Sequence, residues 1–68
     1  MQIVEVVWRN AFNLSQLIRS VGYIVASEMP GHVALAQSHD QDTNEPRGVM
    51  FIPELDLVAT IYRDGAAP

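Results

Sequence analysis

The residue types best suited to chemistry lie close together: Ser38, His39, Asp40, Asp42 and Glu45 fall within eight positions. Ser38-His39-Asp40 holds the types of a nucleophile, base and acid, but consecutively. A working triad is a spatial arrangement in which each group reaches the next beside an oxyanion hole, and adjacent residues at a strand end point in different directions. The chain therefore reads as a non-enzyme. His39, Asp40, Asp42 and Glu45 also suggest a cation loop. A calcium loop needs acidic ligands at regular offsets, a central glycine and a closing glutamate, and this segment lacks the glycine and the spacing. His32 and His39 are seven apart and flank a predicted strand, which is not the spacing of a metal pair. There is no cysteine, which removes disulfides and thiolate metal sites. No metal and no cofactor is expected.

Binding chemistry rests on other residues. Trp8, Tyr23 and Tyr62 have faces on which a base or nucleotide can stack. Arg9, Arg47 and Arg63 are suited to clamping phosphate or carboxylate. The plainer reading makes the aromatics core or interface residues and pairs each arginine with water or a nearby acid. All three arginines fall at predicted strand ends, and two of them meeting across a subunit boundary would form an anion pocket. The candidate ligand- or partner-binding residues are therefore Trp8, Arg9, Tyr23, Arg47 and Arg63.

These residues must be positioned by strands. Residues 2–9 are rich in β-branched types and predict a first strand. Residues 10–19 predict a short helical turn or a folded-back loop, with Phe12, Leu14, Leu17 and Ile18 as its apolar side and Asn13 or Ser15 as a cap. Residues 20–28 predict the second strand and 32–38 the third. Between them, Pro30-Gly31 carries the signature of a type II turn: proline presets its φ and glycine accepts a positive one. Residues 39–46 are polar and predict an exposed loop. Residues 47–52 resume as a strand, and Pro53-Glu54-Leu55 predicts a tight or 3₁₀ turn, since proline cannot continue a ladder. Residues 56–63 close the pattern, and 64–68 read as a frayed tail. The fold class expected is all-β: a single closed five-stranded SH3-like or Sm-like barrel over residues 1–63, which would remove the sheet edges that invite aggregation.

At 68 residues the chain lies near the lower limit for a self-sufficient core. Small domains usually compensate with disulfides, a metal or oligomerisation, and the third is what remains. Alternation supports it. Strands with one wet face should alternate polar and apolar. Here residues 3–8, 21–26 and 49–52 are apolar on both faces, and one barrel interior takes only one. The outer faces of those three segments must pack on residues 10–19, on a symmetry mate or on a ligand, and a homo-oligomer interface is the expectation. The alternative is that short β-branched runs have noisy periodicity. The net charge of −4, with four arginines and no lysine, lacks the basic stripe of a general nucleic-acid binder. No apolar run approaches the roughly 20 residues that cross a bilayer, and no signal-peptide pattern opens the chain. A cytoplasmic location is the expectation.

Val21-Gly22-Tyr23-Ile24-Val25, His32-Val33-Ala34-Leu35-Ala36-Gln37-Ser38, Arg47-Gly48-Val49-Met50-Phe51-Ile52-Pro53 and Val58-Ala59-Thr60-Ile61 together resemble a group of short phage and prophage proteins. The opening Ile3-Val4-Glu5-Val6-Val7-Trp8 is similar to theirs, with Asn10 where an acidic residue often stands. The resemblance implies a small non-enzymatic protein of mobile-element origin that acts in the host cytoplasm against host defence or host machinery, by binding a host protein or by sequestering a small ligand. Four roles are open: an inhibitor of a host protein, an oligomeric sponge for a nucleotide-like anionic signal, a virion structural part, and an Sm-like RNA binder. The composition disfavours the last.

Overall fold

The computed structural model describes residues 2–63. The expected tail at 64–68 lies outside them. Among the described residues there is no α-helix, and seven strands form: β1 (Ile3–Asn10), β2 (Asn13–Val25), β3 (His32–Ala36), β4 (Ser38–His39), β5 (Pro46–Arg47), β6 (Met50–Pro53) and β7 (Leu57–Arg63). A 3₁₀ turn at Glu54–Asp56 separates β6 from β7, where Pro53 ends the ladder. Five strands make one antiparallel sheet in the order β6-β3-β2-β1-β7, and β4 and β5 form a separate small hairpin.

β2 organises the sheet. Its middle, Leu17 to Gly22, pairs with β1, whereas Tyr23, Ile24 and Val25 pair with β3. The change of partner falls at Gly22, which is buried. A Cβ built on Gly22 would lie 2.3 Å from the carbonyl oxygen of Ala36 and 3.2 Å from the Leu35 side chain. Only a residue without a Cβ lets the backbones of β2 and β3 come this close. Val4 and Val6 of β1, Leu35 of β3 and Ile52 of β6 then meet as a fully buried cluster, walled by Trp8, Met50 and Leu57.

Local signals placed the turns. The His32 amide donates to the Met29 carbonyl at 3.3 Å, and Gly31 has φ +72°, as a type II turn over Met29–His32 requires. The Glu54 amide donates to the Gly31 carbonyl at 2.9 Å, which ties the 3₁₀ turn to that hairpin turn. Gly48, at φ +63°, breaks the expected 47–52 strand into β5 and β6.

Two expectations are corrected. Residues 10–19 form no helical turn. They are the end of a β1–β2 hairpin, and β2 begins at Asn13 rather than at residue 20. Asn10 opposes Asn13 while Arg9 opposes Leu17, so Leu14, Ser15 and Gln16 have no opposite residue on β1. The closed barrel is also absent: among the described residues no ladder joins the two edge strands, β6 and β7. The 3₁₀ turn carries the chain off the edge of β6, and β7 pairs with β1 instead, with a bulge where Leu57 and Val58 face Trp8.

Replacing Gly22 by alanine forces β2 and β3 apart. We expect Gly22→Ala to lower stability by about 1–3 kcal/mol, measured by urea unfolding. A change inside experimental error would show that the two backbones are not in close approach.

Candidate functional site

The candidate residues divide between the two ends of the sheet. Trp8 and Arg9 lie at one end, beside the β1–β2 hairpin tip. Tyr23 and Arg47 lie at the other, and Arg63 is close to them through its pairing with Ile3. Five residues of extended strand, about 17 Å, separate Trp8 from Ile3. The five residues therefore do not converge on one site.

Trp8 is half-buried and walls the core. Its indole Nε1 donates to Ser20 Oγ at 3.2 Å, and that hydroxyl donates to Met50 Sδ at 3.8 Å. Ser20, the buried polar residue of the core, is thereby satisfied on both sides. Arg9 is exposed beside it.

At the far end is a shallow depression of about 340 Å³, lined by Ile3, Tyr23, Gln37, Ser38, His39 and Gln41. Tyr23 is buried, and its hydroxyl donates to the Ser38 carbonyl at 2.7 Å. Its ring meets His39 edge to face, with centroids 6.3 Å apart and planes at 75°. The Gln37 amide donates to the Arg47 carbonyl at 3.1 Å, which holds β3 to the β4–β5 hairpin. The polar 39–46 segment is exposed, as expected, and it is closed by its own hydrogen bonds. The Asp40 carboxylate accepts from the Asp42 amide at 2.8 Å, the Thr43 amide at 3.1 Å and Arg47 Nη2 at 2.7 Å. Asn44 takes the left-handed conformation at φ 61°. Asp40 thus caps a turn. Among the described residues no three His, Cys, Asp or Glu side chains cluster as metal ligands.

The arginines are engaged. Arg47 pairs with Asp40. Glu5, on β1, takes Arg63 Nη2 at 3.4 Å and Arg19 Nη1 at 3.9 Å on the same carboxylate oxygen. Glu5 was not a candidate from the sequence, yet it joins three strands across the outer face. Its alternation with Ile3 and Val7 was legible, but its partners come from residues 14 and 58 positions away.

The apolar surface sits elsewhere than expected. Residues 3–8 are buried or half-buried on both faces. Val21, Ile24, Val49 and Phe51 are exposed, as the pattern of 21–26 and 49–52 suggested. Phe12 on the hairpin tip and Leu55 on the 3₁₀ turn are almost fully exposed, and the tip also exposes Leu14 and Leu17. The tip is held by polar side chains. Asn10 Nδ2 donates to Gln16 Oε1 at 2.8 Å, the Phe12 amide to Asn10 Oδ1 at 2.9 Å, and Ser15 Oγ to Asn13 Oδ1 at 2.7 Å.

No family model, curated protein or solved structure matches the chain.

Removing the Tyr23 hydroxyl leaves the Ser38 carbonyl without its donor. Tyr23→Phe is expected to cost about 1 kcal/mol and to loosen the β4–β5 hairpin, read by amide hydrogen exchange at Gln37 and His39. The Asp40 carboxyl is held below its ordinary value of 3.8, first by Arg47 and then by the Thr43 and Asp42 amides. A carboxyl whose folded pKa is depressed supports the fold above its unfolded value and loses that support as pH falls through the folded value. The Thr43 and Asp42 amide resonances should therefore titrate with a midpoint below 3.8. An Asp40 midpoint at or above 3.8 would contradict the turn geometry.

Proposed function

We propose that the protein is a non-enzymatic binding protein that acts by covering a protein partner, the role that its resemblance to short phage and prophage proteins implies for an inhibitor of a host defence protein. One observation carries this reading. Twelve large apolar side chains are exposed among the described residues, and they are borne on paired strands and stitched turns. Apolar side chains carried on an already ordered backbone bind without the cost of ordering that backbone, which is what a protein-contact surface needs. The net charge of −4 adds a bias toward basic partners. The strand order, with a 3₁₀ turn before the last strand, supports reading the sheet as a half-open relative of SH3-like and Sm-like barrels.

A sponge for a nucleotide-like ligand is the second reading, favoured by the aromatic depression at Tyr23 and His39. The cations that would neutralise such a ligand, Arg47 and Arg63, are instead paired with Asp40 and Glu5.

Protein expressed with an affinity tag in its natural host separates the two. We expect one protein partner to co-purify in fixed stoichiometry, and Phe51→Ser, on the exposed side of β6, to reduce its recovery at least about tenfold. Native mass spectrometry showing a retained small molecule and no protein partner would overturn the first reading in favour of the second.

A further inference from the structure

We infer that the β1–β2 hairpin arm is a homodimerisation element, with Phe12, Leu14 and Leu17 of one protomer packing against the same residues of a second copy. The inference rests on the reading of exposed apolar surface as contact surface, and it commits the arm to a defined occupant. Exposed residues of the sheet such as Phe51 remain for another partner.

Area is the first argument. The chain exposes 4929 Å². A compact monomer of 7.5 kDa would expose about 4,250 Å². The surplus, roughly 700 Å², approaches the ~800 Å² that each partner contributes to a standard interface. The molecule is also extended. It measures 39 × 27 × 15 Å, with a radius of gyration of 12.6 Å against about 11 Å for a compact chain of this length.

Charge is the second argument. Two copies of an acidic chain repel except where both are neutral. Between Arg9 and Arg19 the arm carries no charged side chain. Backbone is the third. β2 pairs with β1 on one side as far as Gly22 and has β3 as a neighbour only from Tyr23 onward. Along Asn13–Ile18 its outer edge has no neighbour among the described residues, and no lysine, proline or acid blunts it. Such an edge is self-complementary under a two-fold axis, where residue i meets j and j meets i. The Asn10, Asn13 and Gln16 side chains fix the tip before contact, so little order is lost on pairing.

Sedimentation velocity of the full chain over a concentration series tests this. The wild type should be a dimer with a dissociation constant on the order of micromolar, as suits an interface at the small end of the standard range. Phe12→Ser/Leu14→Ser and, separately, Leu17→Ser should weaken it on the order of 100-fold. All three positions are exposed, so circular dichroism and thermal midpoint should be unchanged. Tyr62→Thr, exposed on β7 away from the arm, should leave the dimer intact. A wild type monomeric at ~100 μM, or a dimer that survives both arm variants, overturns the proposal. So does a dimer weakened equally by Tyr62→Thr. A monomer that still captures a protein partner overturns the dimer and leaves the binding-protein reading standing.

Discussion

The close approach of the Gly22 and Ala36 backbones governs this molecule. A single strand, β2, must pair with β1 and then with β3, and it changes partner where one side chain too many would separate the ladders. That contact seats Leu35 over Val4 and Val6 and closes the core. It also sets Tyr23 one residue beyond the crossing, where its hydroxyl reaches the start of the β4–β5 hairpin. The depression at Tyr23 and His39 is therefore a product of the same crossing. So is the arm. A strand committed to β1 over its first part cannot fold its start back over the sheet, so Phe12 and Leu14 project.

Charged and polar groups follow a local economy. Glu5 draws two arginines from different strands, and Asp40 binds one arginine and two amides of its own turn. Pairs this exposed contribute little to stability. Among the described residues, three of the four arginines have acidic partners within 4.0 Å, and the depression is lined by no arginine.

Features set by neighbouring residues were legible in the sequence. Pro30-Gly31 announced its turn and the strand after it, Pro53 announced the 3₁₀ turn, and the β-branched runs announced β1 and β7. The arm was not legible. Phe12, Leu14, Leu17 and Ile18 suit a helical turn about as well as a strand, and Asn13 and Ser15 suit a helix cap. The same asparagine carboxamides instead bond two residues ahead and stitch a hairpin tip, an alternative their chemistry always offers. The skipped residues Leu14–Gln16 hide the period-two pattern as well. Barrel closure failed for a different reason: whether two edge strands meet depends on the whole sheet. Trp8, Tyr23 and three arginines stand out by residue type, yet spacing along the chain does not show that a strand's length separates Trp8 from Tyr23, or that Glu5 stands between Arg19 and Arg63.

Everything here depends on β2 being one strand from Asn13 to Val25 that serves both halves of the sheet. Backbone chemical shifts and cross-strand nuclear Overhauser effects over residues 10–25 test this most directly. A continuous β2 gives strand-type Cα and Cβ shifts from residue 13 onward, with contacts from Glu5 to Val21 and from Ile24 to Leu35 in the same molecule. Helical shifts over residues 10–19, or a β2 that pairs with β1 or β3 but not both, would contradict it.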